Sequence, residues 1–186
     1  MNVLKTNFPG LMIIEPNVFG DARGYFFESY NAKVLADAGV HTVFRQDNHS
    51  FSKFGVIRGL HFQLNPHAQT KLIRVIEGVI FDVALDMRKG SPTFGKWYGL
   101  ELSAENKRQL YIPNGFAHGF SVLSEQATII YKCDNLYNPK HEGGVIYNDP
   151  ALKIDWKIEA DKANVSDKDK ILPTFDNAKT NFVYQA

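Results

Sequence analysis

The chain has 186 residues, of which 44% are hydrophobic and 22% charged, and this composition excludes wholesale disorder and suits one domain over residues 1–186. A net charge of +1 excludes a general electrostatic attraction to nucleic acid or to an anionic membrane surface. A single cysteine cannot form an internal disulfide bond, and the N-terminal residues show no signal-peptide pattern, so we expect a cytoplasmic protein.

Aromatic and β-branched residues dominate, and the recurrent turn signals are typical of an all-β sandwich or barrel. Strands are predicted, in chain order, at 11–15, 24–29, 43–48, 56–63, 71–76, 79–86, 96–102, 109–112, 119–123 and 127–133. One short helix is predicted over 31–38, with Asn31 as its N-cap and Gly39 just past its end. Gly78 predicts a tight hairpin between two of the strands, and the polar segment 155–170 predicts short helical turns.

Two short segments carry the most specific pattern. Residues 55–63 are Gly-Val-Ile-Arg-Gly-Leu-His-Phe-Gln, and residues 113–119 are Pro-Asn-Gly-Phe-Ala-His-Gly. Their spacing resembles the two motifs of the cupin superfamily of small β-barrels. The resemblance implies a cupin-type double-stranded β-helix, a jelly-roll barrel with short flanking helices. Where metal-binding cupins have a second histidine and a glutamate, this chain has Gln63 and Lys71.

These replacements predict that no metal and no other cofactor is bound. Transition metals are normally held by several imidazoles and carboxylates. The ammonium group of Lys71 repels a divalent cation, and it has no lone pair until it loses a proton. Two histidines, a glutamine and a lysine therefore make a poor metal site. A metal-dependent cupin enzyme is the alternative, which elemental analysis of active protein would reveal.

The same residues suit a pocket for an organic anion. His61 is a candidate proton acceptor because the unperturbed pKa of histidine lies near neutrality. Lys71 is suited to stabilise negative charge that develops on an oxygen, as in an enolate. Arg58 lies three residues before His61 and would face the opposite side of a regular strand. A β-bulge near Gly59 would bring the two side chains together, and the sequence leaves this open.

Beyond the cupin motifs, several segments resemble the dTDP-4-dehydrorhamnose 3,5-epimerase family. They occur in order between Phe19 and Asp169, and their combination is far more specific than any one of them. The segments are 21–28, 45–50, 58–63, 69–75, 90–95, 112–120, 131–133, 148–150 and 166–169. The resemblance implies a substrate with a 4-keto-6-deoxy hexose on a nucleoside diphosphate, dTDP above all. Its C4 ketone acidifies the hydrogens at C3 and C5.

The resemblance also assigns catalytic roles. It makes His61 the base that removes a proton next to the ketone, and Asp169 the partner that orients the imidazole and supports its positive charge. Tyr131 becomes the acid on the opposite face of the sugar, since a phenol with a pKa near ~10 is protonated at neutral pH. Lys71 stabilises the enolate oxygen.

Binding residues follow from the same resemblance. It implies a homodimer in which the 23–28 segment of one subunit reaches the site of its partner, and it implies neither a nucleic-acid nor a membrane partner. In that segment Arg23 contacts phosphate, while Phe26 and Glu28 contact the pyrimidine. The binding residues expected within the subunit itself are Gln46, Asn48, Arg58, His118 and Tyr137. Arg58 is expected at the diphosphate, because a guanidinium group suits phosphate oxygens.

Two further alternatives share the same barrel. A sibling enzyme would carry out the same proton chemistry with another outcome, as a 3-epimerase, a 3,4-ketoisomerase or an enzyme for a different nucleotide. A non-catalytic module would bind the sugar nucleotide without converting it. The retention of His61, Tyr131 and Asp169 together argues against the second alternative.

Overall fold

Residues 1–185, which the computed structural model describes, form two β-sheets, a separate hairpin and short helices. The strands are β1 (Asn2–Lys5), β2 (Met12–Glu15), β3 (Phe19–Asp21), β4 (Gly24–Phe26), β5 (Gln46–Lys53), β6 (Val56–Gln63), β7 (Lys71–Glu77), β8 (Val79–Asp86), β9 (Trp97–Ser103), β10 (Gln109–Ile112), β11 (Phe116–Val122), β12 (Gln126–Cys133), β13 (Glu142–Gly144) and β14 (Asn164–Val165). The helices are α1 (Ala32–Asp37), α2 (Asp167–Lys170) and three single 3-10 turns at Pro139–His141, Ala160–Lys162 and Phe175–Asn177.

The two large sheets exchange strands along the chain. The first sheet has the order β1-β2-β10-β7-β12-β5, and the second has the order β13-β6-β11-β8-β9 with β14 parallel to β6. From β5 to β8 successive strands alternate between the sheets, and they do so again from β9 to β12. This alternation is that of a double-stranded β-helix, so the predicted all-β, cupin-type jelly roll is confirmed.

Three apolar clusters follow from the alternation of side chains across each strand. In β7, Ile73 and Val75 point between the sheets, whereas Leu72 points outward beneath α1. The cluster between the sheets also contains residues of β8, β11 and β12, and it fills one end of the barrel. A second cluster covers the outer face of the second sheet with the C-terminal segment, including Trp156 and Phe182. Polar side chains therefore collect at the other end of the barrel interior.

The predicted helix is confirmed, with the cap that the sequence indicated. The side chain of Asn31 accepts hydrogen bonds from the backbone N–H groups of Lys33 and Val34, which satisfies two otherwise unpaired donors of the first turn. Gly39 follows the helix at φ +89°, a left-handed conformation that glycine adopts without strain. The polar tail forms the expected short turns, of which α2 is one. Within residues 1–185, no helix is long and apolar enough to cross a membrane.

The hairpin predicted at Gly78 is wrong. β7 pairs with β10 and β12 in the first sheet, whereas β8 pairs with β9 and β11 in the second. Gly78 is instead a corner at which the chain crosses from one sheet to the other. Its φ of +77° and the backbone carbonyl of Gln126, which lies where a Cβ would stand, explain why glycine occupies the corner.

Three strands also differ from the prediction by three or more residues at a boundary. The strand expected over 43–48 begins at Gln46 and continues to Lys53, because β12 supplies pairing partners over that range. Phe44, just before it, packs edge-on against Tyr30 outside the sheet. β4 ends at Phe26 instead of residue 29, and β11 begins at Phe116, three residues earlier than expected.

Candidate active site

The polar end of the barrel holds a cavity lined by both sheets. Three residues, His61, Lys71 and Tyr131, line both of its lobes. We call the first the cationic lobe; its other polar residues are Ser50, Arg58, His118, Asn164, Ser166, Lys168 and Asp169. We call the second the amide lobe; its other polar residues are Gln46, Asn48, Gln63, Gln69, Tyr137 and Glu142.

His61 is held by a buried carboxylate. Its Nε2 lies 2.7 Å from Oδ1 of Asp169, which α2 carries against β6. The other oxygen of Asp169 accepts a hydrogen bond from the backbone N–H of Gly59 at 3.2 Å, and Ser166 caps the helix below it. Burial alone would raise the pKa of Asp169, but the hydrogen bonds from His61, Gly59 and Ser166 lower it overall. The carboxylate therefore stays ionised and fixes the ring, which leaves Nδ1 of His61 to accept a proton.

A β-bulge places Arg58 on the same side of β6 as His61. Arg58 pairs with Phe120 and His61 pairs with His118, so three steps along β6 match two steps along β11. Gly59 lies within this bulge at φ +121°, and the backbone of Gly119 occupies the place of a Cβ. Both side chains consequently face the cationic lobe. Nε of Arg58 donates a hydrogen bond to Oγ of Ser52 at 3.1 Å.

Lys71 and Tyr131 approach the cavity from the first sheet, opposite His61. They lie on adjacent strands, with the Lys71 Nζ 5.9 Å from the centre of the Tyr131 ring. Burial raises the pKa of Tyr131, so its phenol is protonated at neutral pH. Desolvation lowers the pKa of Lys71, and nearby acidic groups that include Asp82 and Glu142 oppose this effect. The cavity thus has an imidazole backed by a carboxylate on one wall, and a protonated phenol beside a lysine on the other.

His118 lies in the wall of the cationic lobe and is paired with a second carboxylate. Its Nε2 lies 2.7 Å from Oδ1 of Asp82, and both residues are buried. Desolvation lowers the pKa of His118 in spite of the attraction of Asp82. The neutral imidazole therefore donates Nε2–H to Asp82, and its Nδ1 is left as a hydrogen-bond acceptor.

The amide lobe is closed by a loop that carries Tyr137. The backbone N–H of Tyr137 donates to Oε1 of Gln46 at 2.9 Å, and its hydroxyl donates to Glu142 at 3.1 Å. The amide of Gln46 in turn donates to Oδ1 of Asn48 at 3.0 Å. Glu142 also accepts a hydrogen bond from Lys168 at 2.7 Å, which links this loop to α2. Tyr137 therefore forms a wall of the lobe.

Gln63 ties the same loop to the barrel. Its amide nitrogen donates to the backbone carbonyls of His67 and Leu136 at 2.7 and 3.3 Å, and its Oε1 accepts from the backbone N–H of Asn138 at 2.7 Å. At a position where metal-binding cupins have a histidine ligand, this side chain supports the rim of the cavity. Among residues 1–185, no three His, Cys, Asp or Glu side chains are grouped as metal ligands.

The remaining predicted binding residues, Arg23, Phe26 and Glu28, lie apart from this cavity. Arg23 and Phe26 belong to the β3–β4 hairpin, which is hydrogen-bonded to neither large sheet. Phe26 is 68% exposed, and the guanidinium group of Arg23 pairs with Asp21 in the same hairpin. Glu28 is exposed and accepts hydrogen bonds from Asn31. Within the part of the chain that the structure describes, none of the three lines the cavity of its own subunit.

Sequence reasoning missed two charged cavity residues, Lys168 and Glu142, and a buried carboxylate outside the cavity lining, Asp82. Lys168 lies within the family-like segment 166–169, so the resemblance was a signal for it. Asp82 interrupts the otherwise apolar run of β8, a local anomaly that flags a buried charge. Glu142 follows a polar loop without a distinctive pattern, and only the fold brings it to the site.

Comparisons with known proteins find close relatives over most of the chain. A family model described as dTDP-4-dehydrorhamnose 3,5-epimerase matches residues 5–177. The enzyme of that name from Shigella flexneri is 55% identical over 170 residues, which cover 91% of this chain and 93% of the relative. The structure of dTDP-6-deoxy-D-glucose-3,5-epimerase from Legionella pneumophila Philadelphia 1, in complex with dTDP-4-keto-L-rhamnose, is 46% identical with a TM-score of 0.94, and covers 100% of this chain and 99% of that one.

A more distant structure has a related activity. It is a 3'-monoepimerase from Streptomyces bikiniensis in complex with dTDP-quinovose, with 32% identity and a TM-score of 0.86 over 93% of this chain and 87% of that one. The identity is lower than with the 3,5-epimerases from Shigella and Legionella. Because the family model matches most of its length and a curated relative is more than half identical, the chain belongs to the dTDP-4-dehydrorhamnose 3,5-epimerase family.

Proposed function

We propose that this protein converts dTDP-4-keto-6-deoxy-D-glucose to dTDP-4-keto-L-rhamnose by epimerisation at C3 and C5, within the synthesis of dTDP-L-rhamnose. The observation that carries the proposal is the opposition of His61 and Tyr131 across one cavity, with a buried carboxylate behind the first and a lysine beside the second. Inversion at a carbon next to a ketone needs a base on one face, an acid on the other and a cation near the ketone oxygen.

In the first half of the reaction, Nδ1 of His61 removes the proton from C5 or C3. The C–H electron pair forms the C=C bond of an enolate, and the ketone π electrons move to the C4 oxygen. Lys71 stabilises this oxyanion, because a cation in a desolvated site interacts strongly with developing negative charge. Asp169 stabilises the imidazolium that forms at His61, much as the aspartate of a catalytic triad does.

In the second half, Tyr131 delivers a proton to the opposite face of the same carbon. The carbonyl at C4 is restored, and the centre is inverted. Because burial raises the pKa of Tyr131, the phenol holds its proton at neutral pH and can donate it. The imidazolium of His61 then releases its proton and the phenolate of Tyr131 takes one up, by exchange with solvent. The same cycle at the second carbon completes the double epimerisation.

The two lobes suit the two ends of the substrate. Arg58 and Lys168 give the cationic lobe its charge and suit the diphosphate. The free ring nitrogen of the neutral His118 is an acceptor, so this residue suits a sugar hydroxyl group more than a phosphate oxygen. Gln46 and Asn48 offer neutral hydrogen-bonding groups in the amide lobe for the sugar or base. Tyr137 offers an aromatic wall there.

The proposal is tested by incubating the enzyme with dTDP-4-keto-6-deoxy-D-glucose in deuterated water. The double epimerase is expected to give a product with solvent deuterium at both C3 and C5, since each centre loses its own proton and receives one from solvent-exchanged Tyr131. Mass spectrometry and NMR of the product measure the label at each position. Label at C3 alone would identify a 3-epimerase and contradict the proposal, and CDP- or GDP-linked sugars serve as the nucleotide controls.

We also propose that the active form is a homodimer in which the β3–β4 hairpin of each subunit completes the site of the other. The hairpin exposes Phe19, Tyr25 and Phe26, each by 65% or more, although all three are large and apolar. Arg23 at its tip belongs to the family-like segment 21–28. The proposed cellular location is the cytoplasm, which fits a chain whose single cysteine is buried and unpaired.

Mixed dimers test the shared site. When Arg23→Ala and His61→Asn subunits are combined, we expect each heterodimer to regain one working site, about half of the unsubstituted activity, although each homodimer is nearly inactive. The working site has His61 from one chain and Arg23 from the other. The heterodimers are purified with two different tags before the assay. Well-formed heterodimers that remain inactive would place Arg23 in the site of its own subunit.

A further inference from the structure

Below Lys71 and His118, the interior of the barrel contains a carboxylate to which the proposed mechanism gives no role. Asp82 lies on β8 between Ile80 and Ala84, which belong to the apolar cluster between the sheets. Its side chain has no exposed surface. A charged side chain buried among apolar residues is costly unless its partners compensate for the lost hydration.

Only one oxygen of Asp82 has a partner among residues 1–185. Oδ1 accepts the hydrogen bond from His118 at 2.7 Å, whereas Oδ2 is buried without a hydrogen-bond partner. A buried oxygen without a partner is costly, more so when the group is charged, and native proteins contain few of them. On the opposite sheet, Lys71 is a basic group whose pKa is raised by the charge of Asp82.

Other groups around Lys71 are less suited to balance its charge. Tyr131 and Cys133 on β12 are acids whose pKa values burial raises, so both are neutral at physiological pH. His61 and His118 supply no negative charge. Glu142 at the rim is already bonded to Lys168 and Tyr137. Of these acidic groups, Asp82 is the one whose second oxygen has no hydrogen-bond partner among residues 1–185.

We propose that Asp82 is a positioning residue for the epimerisation: it orients His118 through Oδ1 and, through Oδ2 across one water molecule, holds the Lys71 ammonium group charged and aimed at the ketone oxygen. This rests on the proposed function for its catalytic meaning, but the Asp82–Lys71 coupling itself is independent of the reaction. The site then contains two carboxylate–imidazole pairs with different tasks. Asp169 supports the base, and Asp82 supports the electrophilic side.

The substitution Asp82→Asn tests the coupling because it keeps the shape of the side chain and an oxygen for His118 but removes the charge. Without the carboxylate, the protonated form of Lys71 is less favoured, so Lys71 is expected to lose its proton about one pH unit lower. The alkaline limb of kcat/KM should move down by the same amount, which lowers activity up to about tenfold above that limb. The 15N resonance of the Lys71 side chain, assigned by its absence in Lys71→Arg, follows the same titration without any turnover.

A matched control separates this role from a structural one. Asp149 is also buried and its carboxylate caps the backbone N–H groups of Ala151 and Phe175, far from the cavity lining. Asp149→Asn is expected to lower the melting temperature but to leave the Lys71 titration and the pH profile in place. An unchanged Lys71 titration in Asp82→Asn would overturn the coupling, whereas a shifted titration without the expected labelling of C3 and C5 would overturn only the reaction.

The unsubstituted protein provides a second test that holds even if Asp82→Asn does not fold. A high-resolution crystal structure is expected to show Oδ2 of Asp82 within hydrogen-bonding distance of one ordered water that also contacts Lys71 Nζ. An Oδ2 that contacts no such water would overturn the proposal.

Discussion

The substitution His61→Asn is expected to lower kcat by about 10³-fold, the range in which a general base contributes to proton transfer. Asparagine fills similar space and can still bond to Asp169, but it has no lone pair basic enough to remove a proton from carbon. The affinity for dTDP is expected to change by no more than about twofold, because the proposed diphosphate contacts come from Arg58 and Lys168. The loss therefore falls on the chemical step.

Turnover of dTDP-4-keto-6-deoxy-D-glucose and calorimetric binding of dTDP measure the two quantities separately. His41→Asn is the matched control, since His41 is exposed on the segment before β5 and does not line the cavity. That variant is expected to retain full activity. A His61→Asn protein that loses binding and turnover in equal measure would favour a module that binds the sugar nucleotide without converting it.

The sequence predicted local features where local forces decide them. Asn31 caps α1 because a short side-chain oxygen next to two free N–H groups is sufficient, whatever the rest of the chain does. β10 has the predicted boundaries of 109–112. Its four residues are all buried, and the side chain of Gln109 donates a hydrogen bond to the backbone carbonyl of Ser29. The spacing of the cupin motifs predicted the barrel and thereby the neighbourhood of His61 and Lys71.

Local sequence patterns did not predict the features that depend on which strands pair. Exposed and half-buried side chains alternate from His41 to Phe51, both before and within β5. The alternation therefore does not mark the start of the strand at Gln46, which is set by its pairing with β12. A glycine at Gly78 suits a hairpin and a corner between sheets equally well, and only the choice of partner strands separates them. The bulge that turns Arg58 toward His61 was an open alternative until the register with β11 decided it.

Buried charges show the same limit. β8 contains Asp82 and Asp86, both fully buried in a similar apolar context. Asp86 is satisfied by Arg88 and by nearby hydroxyl groups, which makes it a structural carboxylate. In Asp82 one oxygen bonds to His118, and the other is buried without a hydrogen-bond partner among residues 1–185. Their difference comes from what the fold places opposite each side chain, and this information is absent from the strand itself.

The substitution Tyr131→Phe is expected to lower the rate of epimerisation by about 10²–10³-fold while proton removal by His61 continues. Phenylalanine keeps the ring that packs against the core and beside Lys71, but it has no proton to deliver to the far face. The enolate that forms is then reprotonated by the imidazolium on the face from which the proton left. Exchange with solvent and inversion, which are coupled in the unsubstituted enzyme, become separated.

This separation has a specific signature in deuterated water. The recovered substrate of Tyr131→Phe should carry deuterium next to the ketone with its original configuration, and labelled substrate should accumulate faster than product. Tyr111→Phe provides the matched control, because Tyr111 is also buried but bonds to Thr42 on the outer side of the first sheet. That variant should label only as it epimerises. If Tyr131→Phe inverted the substrate at the unsubstituted rate, the acid would be another group. If the variant lost both solvent exchange and inversion, Tyr131 would act before or during proton removal.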